Sequence, residues 1–413
     1  MGFVEVMRER GMMAQVTHED ELIAHLSEGT RTAYLGIDPT AESMHVGNLM
    51  TIMAARRWQA AGHRVVLLMG GATALIGDPT GKTEMRKMLT SDLINANIEK
   101  FKKQLSPLID LEDPARGVVV NNADWFAPMG YLGLLREVGQ HFSINRMMAA
   151  ESVKQRLERG LSFLEFNYMI LQSYDFWHLN KAQDCTVQLG GDDQWSNMLG
   201  GMDLVRKKER GQAYCFTVPL LQNTAGQKMG KTESGAVWLN REMTKPYDLF
   251  QYFRNLEDEM VKPCLSYFTD IPMAEVEGLT QVTGNKINEA KVVLAWEVTK
   301  LLHGEKDADE AKAAAASLFA AGAKGGEGDA PEVSVSSAEF SEGSLGLLQL
   351  LVNTKVFPSK AEARRMVQQG GLSLNGEKIK DPTYEVPENL LKADQGLLVK
   401  KGKKHYFRLR ISS

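Results

Sequence analysis

The sequence predicts an α/β protein whose first part is an open parallel sheet covered by helices. Two observations carry this. Apolar runs of strand length (Ala33–Ile37, Arg64–Met69, Val118–Asn121, Thr186–Leu189, Cys215–Leu220) alternate with helical stretches through the first 240 or so residues. Several of these runs, RVVLLM above all, are continuously apolar, as expected for strands buried on both faces. At 413 residues the chain exceeds one ordinary domain. Its 43% hydrophobic content supports a large core, and no apolar run reaches membrane-spanning length. The first residues include acids and no apolar h-region, and Val6 stands where an N-myristoylation signal needs Ser or Thr. Cys185, Cys215 and Cys264 are few, odd in number and far apart, which fits a reducing cytoplasm and not a four-ligand zinc site. A net charge of -4 means that any nucleic-acid partner must meet local basic patches.

The first strand ends at Asp38-Pro39-Thr40, and His45-Val46-Gly47-Asn48 then opens an apolar helix. Gly47 would let a ligand lie against the first helical turn, where free N–H groups and the helix dipole favour an anion. His45 and Asn48, three apart, are expected to project as donors from one side of that turn. The second strand empties into GGATALIGDPTGK (Gly70–Lys82), a glycine-rich loop at the strand end where open sheets bind ligands. It is not a phosphate-binding Walker loop, because Gly77 and Gly81-Lys82-Thr83 are only four apart. Lys82 and Arg86 follow on the same loop.

Trp125 to about Gly160 reads as an insertion between sheet units. A helix is expected over Ser162–His178, carrying Tyr168, Gln172 and Asp175 at i, i+4 and i+7 on one stripe. QLGGDDQW (Gln188–Trp195) is a strand entering a glycine turn and a helix, and a carboxylate there commonly receives ribose hydroxyls. After the fifth strand comes Lys228-Met229-Gly230-Lys231-Thr232, two cations three apart around a glycine.

HVGN followed by KMGKT is similar to the HIGH and KMSKS pair of class I aminoacyl-tRNA synthetases. Tyr34-x-Gly-x-Asp-Pro-Thr, GGATALIGDPTGK, YMILQSYD, QLGGDDQW and KMGKTESG together resemble the bacterial tyrosyl-tRNA synthetase family over nearly the whole chain. The resemblance implies ATP-dependent activation of L-tyrosine to tyrosyl-adenylate, then transfer to the 3′ end of tRNA(Tyr), with Mg²⁺ arriving with ATP and no dedicated metal site. It implies that Tyr34 and Asp175 bond the phenolic OH of tyrosine. Asp78, Tyr168 and Gln172 would take its amino group, with Gln194 near its carboxylate. Gly36, Asp38, Gly47 and Gly191 would line the nucleotide, with Asp193 on the ribose and Asn48 near it. Thr40, His45, Lys82, Arg86, Lys228, Lys231 and Thr232 would hold the phosphates. Both elements depart from the general signatures: Asn48 closes the first, and in the second Gly230 replaces the first Ser and Thr232 the last. A nucleotidyltransferase would share the phosphate logic without a tyrosine pocket, and a tryptophanyl-tRNA synthetase would lack the Tyr34/Asp175 pair. A non-catalytic RNA-binding relative would not need both KMGKT lysines.

Strand signals stop from Thr244 to Ala321, where Leu294, Val298 and Leu301 repeat with helical spacing and Ala311–Ala320 favours helix. Gly322–Gly343 is rich in Gly, Ser and acid and reads as a linker. Leu345–Leu351, Ser359–Arg365 and Gly371–Gly376 resemble an S4-type RNA-binding domain. No acid follows Asp394, while Lys400, Lys401, Lys403, Lys404, Arg408 and Arg410 crowd the tail around Tyr406 and Phe407, as in a surface that meets RNA backbone. The expected layout is thus a Rossmann-like catalytic domain over 1–243 with an insertion at about 125–160, a helical domain over 244–321, a linker over 322–343 and an S4-like domain over 344–413. The family resemblance further implies a cytoplasmic homodimer joined near Trp125–Met148.

Overall fold

A computed structural model describes residues 2–80, 89–157, 160–232, 235–282, 284–323, 332–340, 343–354, 356–357, 359–393, 396–402 and 405–412. The chain divides into two compact units, Met1–Lys312 and Ala313–Ser413.

In the first unit, strands β1 (Thr32–Ile37), β2 (Arg64–Met69), β3 (Gly117–Asn121), β4 (Cys185–Gly191) and β5 (Tyr214–Val218) form one sheet in the order β3-β2-β1-β4-β5. Every neighbouring pair is parallel. Burial explains the apolar runs: Val65 to Met69 on β2 and all of β5 are closed to solvent. The order reverses between β1 and β4, so the loops at their C-terminal ends splay apart and leave a crevice. Helix α1 (Val46–Ala60) packs on β1, β2 and β4 and delivers its N-terminus to that crevice. Its start is fixed locally: His45 is extended, and the Asn48 side-chain oxygen accepts the His45 N–H at 3.0 Å. Helix α2 (Ser91–Leu105) is capped by Thr90, whose hydroxyl accepts from the Leu93 N–H.

The helix expected over Ser162–His178 is two helices. Phe163–Phe166 forms one turn with a Ser162/Glu165 capping box, and α3 (Tyr168–Gln183) follows. Ser162 and Glu165 satisfy the amides of that turn before Asn167, and periodicity alone cannot place such a break. From Ala123 to Leu157 the described residues hold short helices and no strand. Helix α4 (Trp195–Glu209) lies against α3 along its length.

Helices α5 (Pro246–Arg254), α6 (Asp258–Phe268), α7 (Ile287–His303) and α8 (Glu305–Ala323) follow, with no strand among the described residues from 244 to 323. Pro246 sits at the start of α5, where its missing N–H costs nothing. The far end of α1 grips this region. Buried Arg57 donates to the carbonyls of Ser266, Tyr267 and Thr269, and Arg10 donates to those of Ser266, Thr269 and Ile271. Two guanidinium groups thus satisfy carbonyls at the C-terminal end of α6, where cations also complement the helix dipole. Burial, with Arg10 next, lowers the Arg57 pKa to about 9.

Beyond the five-stranded sheet the first unit holds one short strand pair, β6 (Lys231–Thr232) and β7 (Gly235–Ala236). The strands of the second unit are β8 (Glu332–Ser336), β9 (Ser344–Gly346), β10 (Leu372–Leu374), β11 (Glu377–Ile379), β12 (Glu385–Pro387), β13 (Leu397–Lys401) and β14 (His405–Ser412). They form a mixed five-stranded sheet in the order β11-β10-β13-β14-β8 and a small β9–β12 ladder. Helices α9 (Leu347–Asn353) and α10 (Lys360–Gln368) complete it over a core that includes Leu350, Phe357, Val367, Val399 and Leu409. The linker reading of 322–343 is corrected here: Glu332–Ser336 pairs in parallel with β14 from Arg408 to Ser412. Only Val335 of this strand is buried, so its alternation is weak and the surrounding Gly, Ser and acid mask it. Residues 324–331 lie outside the described set. Several tail cations are already engaged: Arg410 pairs with Glu332 at 3.2 Å, and Lys401 donates to the Val356 carbonyl while lying 4.1 Å from the Phe357 ring centroid. Lys400 covers Tyr406 at 5.0 Å. Lys403 and Lys404 are outside the described residues.

Candidate active site

The crevice at the sheet's switch point is a cavity of about 370 Å³. Strands β1 and β4 form its floor, the N-terminus of α1 and the Val218–Met229 segment form its walls, and α3 contributes one polar stripe. Tyr34, Gly36, Asp38, Thr40, His45, Gly47, Asn48, Asp78, Tyr168, Gln172, Asp175, Gly191, Asp193, Gln194 and Lys228 all line it. Lys82 and Arg86 lie outside the described residues. Lys231 and Thr232 form a short backbone pairing with Ala236 and Gly235.

The deep end is polar and deeply buried. Tyr34 is 1% exposed and Asp175 is 2% exposed. The Tyr34 hydroxyl is buried and has no hydrogen-bond partner among the described residues. Asp175 accepts from Asn122 Nδ2 at 3.1 Å and from Trp125 Nε1 at 2.9 Å. Burial pushes its pKa up to about 8; the two hydrogen bonds oppose the rise and nearby Asp38 adds to it. Trp125 is held in turn by stacking on His178, with ring centroids 4.3 Å apart.

A second cluster lies above it. The Tyr168 hydroxyl donates to Asp38 Oδ2 at 2.8 Å, and the Thr73 hydroxyl donates to Asp38 Oδ1 at 2.8 Å. Gln194 Nε2 donates to Asp78 Oδ2 at 2.7 Å, while Asp78 Oδ1 accepts the Thr80 N–H at 3.0 Å. Burial, followed by the charges of Asp38 and Asp78, holds the Tyr168 phenol well above its ordinary pKa. Asp38 bonds this neutral phenol and the charge of Asp78 acts on it as well, an environment that suits a substrate ammonium. Asp38, expected on the nucleotide, also belongs to this cluster through Tyr168.

At the open end, Lys228 reaches Asp193 Oδ2 at 3.2 Å. Its neighbour Asp192 faces away, taking Gln15 Nε2 at 2.7 Å and the Thr217 hydroxyl at 3.0 Å. Two contacts at the first turn of α1 bear on these residues. The space beside Gly47 is used by the preceding His45 ring: a Cβ on Gly47 would fall 2.7 Å from His45 Cε1. The Asn48 oxygen is committed to capping α1, so only its NH₂ group remains for a ligand.

Gln188 was missed. It is 3% exposed, lines the cavity beside Tyr34 in the β1–β4 register, and its amide oxygen has no partner among the described residues. The alternation of side chains along QLGG could have found it. Thr73 lies within a motif that the sequence singled out. Asn122 and Trp125 carried no local signal, because their role depends on a carboxylate some fifty residues later in the chain.

Residues 27–320 match the family of class I tRNA synthetases for tryptophan and tyrosine, and residues 329–409 match the tyrosine–tRNA ligase SYY-like C-terminal domain. The chain is 50% identical over 409 residues to the tyrosine–tRNA ligase of Clostridium kluyveri, covering 98% of each. It is 50% identical over 403 residues to tyrosine–tRNA ligase 1 of Clostridium acetobutylicum, again covering 98% of each. Among solved structures, a C-terminally truncated Aspergillus nidulans mitochondrial tyrosyl-tRNA synthetase superposes with a TM-score of 0.69 at 32% identity, covering 77% of this chain and 94% of that one. The Archaeoglobus fulgidus tyrosyl-tRNA synthetase shares the fold, with a TM-score of 0.58 at 18% identity over 75% of this chain and 99% of that one. The chain belongs to the class I aminoacyl-tRNA synthetases and, within them, to the tyrosine–tRNA ligases.

Proposed function

We propose that the switch-point cavity is where this tyrosine–tRNA ligase makes tyrosyl-adenylate, with the residues in the following roles. Tyr34 and Asp175 receive the phenolic OH of L-tyrosine. Asp78, Tyr168 and Gln172 receive the ammonium group, and Gln194 steers the carboxylate. ATP lies over Gly36, Asp38, Gly47 and Gly191, with its ribose on Asp193 and near Asn48. Thr40, His45, Lys82, Arg86, Lys228, Lys231 and Thr232 hold the phosphates of the magnesium–ATP substrate. The tyrosine carboxylate attacks the α-phosphorus and pyrophosphate leaves. A ribose hydroxyl at the tRNA 3′ end then attacks the acyl carbon and AMP leaves. No protein nucleophile is required; the chain supplies orientation and donors aimed at charge building on the phosphates.

The observation that carries this reading is the buried Tyr34 hydroxyl beside buried Asp175 at the closed end of a cavity whose open end holds Lys228 and Asp193. A buried hydroxyl without a partner is costly, so the pocket matches a ligand that carries a hydrogen-bonding group there. ATP–pyrophosphate exchange by the pure protein tests it: exchange that depends on tyrosine and not on tryptophan supports it, and exchange without tyrosine overturns it.

The partner assignments rest on other features. Tyr131, Leu132, Ile144 and Phe163 are 54%, 74%, 61% and 70% exposed, an apolar patch suited to a second copy of the chain. A homodimer joined there should sediment at twice 45.8 kDa. The helical segment after Thr244 and the S4-like second unit would face tRNA. Buried free Cys185, Cys215 and Cys264 suit a reducing cytoplasm, and among the described residues no helix is long and apolar enough to cross a membrane.

A further inference from the structure

The Leu221–Gly230 segment presents Lys228 to the cavity, and the helices after it hold this segment at two points. Thr224 donates its backbone N–H to Glu257 Oε2 at 3.2 Å, just before α6. Gly230 donates its N–H to the Tyr252 hydroxyl on α5 at 3.0 Å. Between these anchors the segment closes on itself, with the Met229 N–H on the Leu221 carbonyl at 2.8 Å.

The Gly230 peptide is also the joint between the two signature elements. Its carbonyl accepts the Val237 N–H at 2.8 Å, and the Val237 carbonyl accepts the Val46 N–H at 2.9 Å, on the first residue of α1. Gly230 adopts φ +87°, and a Cβ there would fall 2.9 Å from the Gly47 nitrogen. Both facts exclude a side chain in this arrangement, which accounts for glycine where the general signature has serine. The backbone of KMGKT thus lies on the first turn of the helix that carries His45, and the Tyr252 oxygen holds it there. Tyr252 is half-buried with its ring edge-on to Phe253 at 5.1 Å, and burial raises its pKa, so a neutral and well-placed phenol is available as the acceptor.

We propose that Tyr252 is a positioning residue for tyrosine activation. Its hydroxyl fixes the Gly230 peptide and so sets where Lys228 stands relative to the His45 turn. The proposal rests on the reading of Lys228 as a phosphate ligand. Tyr252 itself is not among the residues that line the cavity.

The test uses the full-length enzyme with Tyr252→Phe, which keeps the ring and removes the oxygen. Tyr247→Phe is the control: its hydroxyl accepts from Gln251 Nε2 on the same helix and does not reach the segment. In the free enzyme, hydrogen exchange at the Gly230 amide and tryptic cleavage after Lys228 should both rise about fivefold in Tyr252→Phe. In pyrophosphate exchange, kcat should fall about fivefold while the KM for tyrosine stays within about twofold. The control should change neither. Unchanged protection at Gly230, or a loosened segment with unchanged kcat, overturns the proposal, as does an equal loss in tyrosine KM. Lys228→Ala separates the two levels. If it remains fully active, the phosphate reading falls and takes the proposal with it. If it is crippled while Tyr252→Phe keeps its kcat, the tether alone is refuted.

Discussion

Replacing Tyr34 by Phe removes a single oxygen from the closed end of the cavity, and the structure sets the size of the effect. The hydroxyl is fully buried and has no partner among the described residues, so its removal breaks no internal bond. The free variant should melt no lower than the parent. With tyrosine bound, the variant lacks one neutral hydrogen bond, worth about 1 kcal/mol, or about fivefold in kcat/KM. With phenylalanine, the parent leaves both the Tyr34 hydroxyl and Asp175 facing a hydrogen, whereas the variant leaves only Asp175. Because that hydroxyl is unpaired in the free enzyme as well, its removal leaves phenylalanine kcat/KM nearly unchanged. The tyrosine-to-phenylalanine preference should therefore fall by about 1 kcal/mol, roughly fivefold, with activity retained. Asp175→Asn should act differently. Asp175 accepts from Asn122 on one oxygen and from Trp125 on the other, and an amide offers only one acceptor. One buried donor then loses its partner, so this variant should lose both thermal stability and activation rate. Pyrophosphate exchange with each amino acid, beside thermal melts, measures all of this. An unchanged preference in Tyr34→Phe together with a fully active Asp175→Asn would refute the pocket assignment.

Four further outcomes are expected. His45→Ala and Lys228→Ala should each lower the activation rate by about a hundredfold while tyrosine KM moves little, since they act on charge that develops in the transition state; an equal loss in binding and rate would sink that role. The exposed Lys228–Asp193 pair adds little to stability, so Lys228→Ala should melt like the parent. Burial raises the Asp175 pKa to about 8, so near pH 7 the free carboxyl is mostly protonated, while accepting the substrate phenol favours the ionised form. Tyrosine binding should then release part of a proton at pH 7 and tighten as pH rises from about 6 to about 8. Titration calorimetry in buffers of different ionisation enthalpy measures the release, and a release unchanged in Asp175→Asn would refute it. Truncation after Gly328 should keep tyrosyl-adenylate formation and abolish or severely weaken tRNA charging; the reverse pattern in a folded truncation would show that the active site is misplaced.

The sequence made the sheet legible because strands such as Arg64–Met69 are buried on both faces, and Val65 to Met69 runs without a polar interruption. It made much of the cavity legible because the cavity's loops leave those strands at their C-terminal ends, where glycine and charge interrupt the apolar pattern. What it hid was long-range. Asn122 and Trp125 look like ordinary residues after β3 until α3 brings Asp175 over them. Tyr252 reads as one more aromatic of an amphipathic helix until the Gly230 peptide arrives 22 residues away. β8 was hidden by composition, since an edge strand with one buried valine hardly differs from the Ser- and acid-rich chain around it.

The pairing of β8 with β14 has a consequence for how the protein is made. The last strand of the chain, His405–Ser412, is not an edge: it lies between β13 and β8. While a ribosome still encloses those residues, β8 has no partner and the second sheet lacks a central strand. The parallel sheet of the first unit, by contrast, has all its strands once Val218 has emerged. The nascent enzyme should therefore complete the sheet of its first unit well before the sheet of its second. A stop codon within β14 would leave a chain that has every strand of the first sheet but cannot pair β8 in the second.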